Sequence, residues 1–193
     1  MTTALERNDR YLLEFVEQLS LCPFARRCRE TGKLLRRVLS GIPSLEAELR
    51  SIEALPDGSV EVALLICPDV PASPQEWEKR VAALRPLTTR FHCVAFHPEM
   101  PRDLSDPHRA VRFIRRSPDP TVQLVHVRTL EAVRAGREGG SRFVDTTTLT
   151  VAQLTALASA KSLSDAIAEE NLASLRAADP DRLEDLLTSM RKE

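Results

Sequence analysis

The apolar positions Leu5, Leu12, Phe15, Val16 and Leu19 follow helical spacing and predict an amphipathic helix over about residues 4–20. Cys22-Pro23 interrupts that stripe and starts a second short helix, which ends at Gly32. Leu34 to Leu39 reads as a strand. Ser44 is placed to cap a helix running to about Ile52, with Glu46 and Glu48 in its first turn. Leu55-Pro56-Asp57-Gly58 is a turn. Val60 to Cys67 is almost wholly apolar, the pattern of a strand buried on both faces. Ser73 and Glu76 form a capping box around Pro74, so a helix runs from there to Leu84. Phe91 to Phe96 is a further apolar strand.

Beyond it, Glu99 to Pro107 reads as an irregular loop, and Asp106-Pro107 opens a helix to about Ile114. Arg115 to Pro120 is a rigid extended turn, because each proline restricts the residue before it. Thr121 to Val127 is a strand and Leu130 to Ala135 a short helix. Gly136 to Ser141 reads as a mobile loop, and Phe143 to Thr148 as an edge strand or a loop. Three helices follow, over Val151 to Ala158, Ser164 to Ala177 and Pro180 to Met190, the last opened by Asp179-Pro180. This alternation predicts an α/β or α+β two-layer sandwich. About four strands form a mixed sheet, with flanking helices and a helical C-terminus. The chain reads as a single domain, its core at about 4–150 and a C-terminal helical segment at 151–193.

Composition narrows the function. The 193 residues carry a net charge of −1, so no basic field points to nucleic acid, and only 4% are aromatic, too few for a base-stacking surface. No apolar run approaches the roughly 20 residues of a membrane span. The N-terminal residues mix both charge signs without a signal-like apolar run, which predicts a cytoplasmic location. The four cysteines, Cys22, Cys28, Cys67 and Cys93, form no CxxC pair and read as free thiols, so no structural metal site is expected. A metal reading would have to recruit Cys22 and His97 with His92 or His108, in no recognised ligand spacing. The sequence names no cofactor, and oligomeric state cannot be read from it.

Three loops carry the candidate chemistry. Cys22 directly precedes Pro23, which suits the first position of a helix, so Cys22 would be its N-cap. There the helix dipole and nearby Arg26 would pull the thiol toward thiolate. His97 follows a buried strand, and Arg116 with Ser117 precedes another. A cysteine with a histidine is the minimum for thiolate catalysis, and an arginine adds a two-pronged grip on a carboxylate or phosphate. Each has a plainer use. Cys22 could fill a core corner, His97 could bond a backbone carbonyl, and Arg116 could cap a helix C-terminus. Asp103, Asp106 and Asp119 read as turn and cap residues, and His126 and His108 have no local partner in sequence.

The segments Leu21-Cys22-Pro23-Phe24-Ala25, Phe96-His97-Pro98 and Arg116-Ser117-Pro118 with Pro120-Thr121 resemble, in order and spacing, an uncharacterised bacterial group, domain-of-unknown-function family 1415. Ile167 to Leu175, with Asn171, is similar to that family's final helix. This chain departs from the family pattern at Glu99-Met100 and at Asp119, where an aromatic is usual, and at Gln123, where a histidine is usual. The resemblance implies that Cys22, His97 and Arg116 form one site, and it names no reaction.

Together these observations predict a small-molecule enzyme acting on an anionic metabolite. Cys22 and His97 would be catalytic, and Arg26, Arg116 and Ser117 would bind the carboxylate or phosphate. Two alternatives use the same residues or the other end of the chain. One is a non-catalytic binding or sensing module for a small anionic ligand. The other is an interaction protein whose C-terminal stripe, Leu183, Leu186, Leu187 and Met190, takes a partner.

Overall fold

The computed structural model describes residues 2–22, 24–41, 43–136 and 163–192. Pro23 and the expected elements at 137–141, Phe143 to Thr148 and Val151 to Ala158 lie outside them. Four strands, β1 (Leu34–Val38), β2 (Val62–Ile66), β3 (Phe91–Phe96) and β4 (Thr121–His126), form one sheet in the order β1-β2-β4-β3. β1 and β2 are parallel, whereas β4 runs antiparallel to both of its neighbours. The expected four-stranded mixed sheet is therefore present, with helices against each of its faces.

Alternation along the strands sorts their side chains into two cores. Ala63, Leu65, Val122, Leu124, Phe91 and Cys93 face one way. They pack on α3 (Pro43–Glu53) and α4 (Pro74–Leu84), with Trp77 fully buried and its indole N–H donating to the Thr121 carbonyl at 3.3 Å. Val62, Leu64, Ile66 and Val125 face the other way. That second core holds the N-terminal helices, α5 (Pro107–Ile114) and two C-terminal helices, α7 (Leu163–Ala177) and α8 (Pro180–Lys192). Every residue of β2 is buried, as its unbroken apolar run required.

Local chemistry explains where elements start and where expectation needed correction. Ser73 and Glu76 make the full capping box of α4, and Asp106 caps α5 by accepting from the His108 and Arg109 N–H groups. Helix α3 begins at Pro43, so Ser44 is not its cap; the Ser44 hydroxyl donates back to the Gly41 carbonyl at 2.6 Å. The first helix is split. An α-helical turn, α1 (Ala4–Arg10), runs into a π-helix over Tyr11–Glu17, ended by Ser20 at φ 54. The wider turns keep Tyr11, Leu12, Phe15 and Val16 together on one buried face. α2 spans Ala25–Glu30 with Phe24 at its N-cap, so Cys22 lies ahead of the cap rather than on it. α6 (Val127–Gly136) starts directly from β4, three residues earlier than its predicted start at Leu130.

A candidate ligand cavity on the α5 face of the sheet

The second core is incompletely filled and encloses a cavity of about 560 Å³. Its floor is the sheet. Leu64, Gln123 and Val94 are register partners across three strands, flanked by Val62, Val125 and His92 in one direction and by Thr121 and Phe96 in the other. The π-helix supplies Tyr11, Leu12 and Val16, α5 supplies Val111, Arg112 and Ile114, and α7 supplies Asn171. Exposed His92 and His108 lie where the cavity meets solvent.

The sequence-predicted residues divide between this cavity and other places. Cys22 and Ser117 line it; His97, Arg116 and Arg26 do not. His97 is buried with both ring nitrogens engaged. Nδ1 accepts from the Glu99 N–H at 3.1 Å, so Nε2 carries the proton and donates to the Ala72 carbonyl at 2.8 Å. That neutral form is favoured further by burial, which lowers its pKa from the usual 6.5. Arg116 turns away from the cavity, donating to the Met100 carbonyl and to Glu184 on α8, with its guanidinium 5.3 Å from the centre of the Phe113 ring. Arg26 is 65% exposed and sits 3.6 Å from Glu17, whose carboxylate is clamped by Arg29 at 2.7 and 2.8 Å. Ser117 donates to the Asp119 carbonyl at 2.5 Å, which fixes the turn before β4.

Cys22 also behaves differently from expectation. Desolvation lifts its thiol to about pKa 11 against the opposing pull of the Phe24 and Ala25 N–H groups, and the Glu17 carboxylate adds to the rise. Burial outweighs the helix-terminus effect because α2 is only six residues long and its cap is Phe24. Cys28 and Cys67 are pushed up to about 12, and Cys93 is raised, all chiefly by burial. Among the described residues no group of three or more His, Cys, Asp or Glu side chains could hold a metal ion.

The cavity wall also holds a residue that sequence reasoning did not single out. Among the described residues its lining contains two arginines and no carboxylate. Arg112 is neutralised by Glu78 at 2.5 Å. Arg115 has no hydrogen bond or ion pair on its guanidinium among the described residues; its pKa is lowered first by desolvation, and the nearby Glu78 carboxylate opposes that fall. Gln123 and Asn171 line the same space with carboxamides that no described residue partners. Tyr11 is anchored by its hydroxyl to the Ile114 carbonyl at 2.7 Å. Its pKa is raised mainly by burial and further by Cys22, and Arg115 opposes the rise. The available signal was the pair Arg115-Arg116 at a helix end. The two arginines follow the last residue of α5, and where the chain leaves the helix Arg115 lines the cavity and Arg116 does not.

Two sequence readings change accordingly. The stripe Leu183, Leu187 and Met190 is buried in the chain's own second core, with Leu186 partly buried against it. Asp119 is more than a turn former: Arg7 grips it with two bonds, of 3.1 and 2.8 Å, tying α1 to the turn before β4. His108 and His126 each have a carboxylate 3.2 Å away, Asp165 and Asp57, which forms an ion pair when the ring is protonated.

Fold and cavity define an α+β sandwich with an arginine-bearing, mostly apolar pocket on one face of its sheet. The family model described as protein of unknown function (DUF1415) matches residues 3–156, and the chain belongs to that family. The match contains Cys22, His97, Arg115 and Gln123 and stops short of the helix holding Asn171. Comparisons with curated proteins and with solved structures find no match. Among the described residues no helix is long and apolar enough to cross a membrane.

Proposed function

We propose that this protein binds a small anionic organic ligand in the cavity, with Arg115 as the anchoring cation. One observation carries the reading: the half-buried Arg115 guanidinium lines the cavity with no direct hydrogen bond or ion pair among the described residues, and the one carboxylate nearby, Glu78, is paired with Arg112. A buried charge without a partner is costly, and a bound anion removes that cost. Gln123 and Asn171 offer further hydrogen bonds, and Arg115 replaces Arg116 and Arg26 as the ligand-binding arginine. Ser117 acts by holding the turn, and His97 by tying the loop after β3 to the loop before α4.

The thiol-enzyme reading keeps one favourable observation, that Cys22 shares the cavity wall with Arg115. It loses His97 as its base, because both nitrogens of that ring are engaged elsewhere. The binding reading is tested by thermal shift with benzoate, acetate and inorganic phosphate. An anion held at a hundred times its Kd stabilises the fold by about 2.7 kcal/mol. That stabilisation is expected to vanish in Arg115→Ala and to persist in Arg116→Ala and Cys22→Ser. Loss in Arg116→Ala with retention in Arg115→Ala would reverse the assignment.

A further inference from the structure

We infer that the ligand is an amphipathic monocarboxylate, with its carboxylate at Arg115 and its apolar body lying along β4 toward His92. This rests on the binding reading above and adds the ligand's chemical class.

Charge sets the head group. Among the described residues Arg112 and Arg115 share one nearby carboxylate, Glu78, which pairs with Arg112, so together the three carry one net positive charge at the cavity. A monoanion balances it, whereas a phosphate dianion would leave a second negative charge desolvated. The planar fork of an arginine also matches the two oxygens of a carboxylate.

The floor sets the body. Arg115 lies at the C-terminal end of β3, where its carbonyl accepts from the His97 N–H at 2.9 Å. His92 lies at the other end of β3, opposite Val125. From Thr121 to Val125 the floor runs about 13 Å at the rise of an antiparallel strand, the reach of an extended medium-chain acid such as decanoate. Between Thr121 at one end and His92 at the other, Gln123 is flanked along that path by the apolar side chains Val62, Leu64, Val94, Val125, Leu34 and Leu130. The volume of about 560 Å³ suits a ligand of this size.

The test is isothermal titration at pH 8 with acetate, hexanoate, decanoate, decyl phosphate, decanol and inorganic phosphate, each amphiphile below its micelle concentration. Decanoate is expected to bind at least tenfold more tightly than acetate, decyl phosphate or decanol. Affinity should rise about fourfold per added methylene until the floor is covered. Arg115→Ala should weaken decanoate by more than tenfold. In His92→Trp, an exposed position at the far end, decanoate should weaken while hexanoate is unchanged, which tests the orientation independently of Arg115. Acetate or inorganic phosphate binding as tightly as decanoate, with dependence on Arg115, would leave anion binding standing and overturn the amphipathic class. Tightest binding by decyl phosphate would overturn the monocarboxylate assignment. Decanol matching decanoate in both wild type and Arg115→Ala, or no binding of decanoate at all, would overturn both.

Discussion

Arg115 and Arg116 differ by one position and have opposite surroundings. Arg115 is half-buried on the cavity wall with no direct ion pair among the described residues, while Arg116 is held by Glu184 and Met100. Sequence reasoning reached this turn but could not tell which of the two arginines lines the cavity, because facing is fixed by the register in which α5 buries Ala110 and Phe113. Cys22 shows a related limit: the residue was legible, but its desolvation depends on chain segments far from it. With its pKa at about 11, iodoacetamide should alkylate Cys22 slowly at pH 7 and about tenfold faster per pH unit up to pH 10, as followed by mass spectrometry. Glu17→Gln should shift that profile to lower pH, since Glu17 opposes the thiolate. A Cys22 that reacts fully at pH 7 would contradict the desolvated environment.

His97 gives a second residue-scale expectation. Its folded pKa lies below the usual 6.5, so the unfolded chain takes the proton first. The stability it contributes is complete above about pH 6.5 and is lost as pH falls toward and through the lowered value. Urea denaturation between pH 5 and 8 should show that acid loss, and His97→Gln should flatten it. At pH 8, His97→Ala should cost about 1–3 kcal/mol, because the Ala72 carbonyl and Glu99 N–H lose their partner.

Among elements, those with local chemical punctuation were read most closely. α4 and α5 begin where their caps require, and β3 runs over Phe91–Phe96 as its pattern required. Misreadings arose where tertiary packing overrode a local rule. The helical stripe at the N-terminus could not reveal a π-helix, which forms because four bulky side chains share one buried face. Neither could an aspartate among prolines reveal Arg7, 112 residues earlier, as its partner. That pair is mostly shielded from solvent, so Asp119→Asn should cost about 1.5–3 kcal/mol in chemical denaturation. It should also speed hydrogen exchange across α1 while leaving α4 protected. Uniform exchange across both helices would mean that α1 is held by other contacts.

For the molecule as a whole, the fold class was legible because alternating elements and one strand buried on both faces leave few arrangements. Strand order was not, because no local pattern tells β4 which neighbours to take. The C-terminal helix belongs to the second core. Removing the residues after Ala178 strips out Leu183, Leu187 and Met190, and should lower the melting temperature. A truncated chain with unchanged melting would restore the partner reading of that helix.

The central place of β4 bears on how the chain is made. β2 and β3 are both bridged by a strand that begins only at Thr121, so neither has its full set of neighbours while the first 120 residues are being synthesised. A nascent chain arrested with Pro120 as its last residue clear of the ribosome should be degraded readily by protease, and one arrested well past His126 should resist. Until β4 emerges, the apolar β2 presents an unpaired edge, so this protein's need for chaperone shielding should fall in one narrow window of translation.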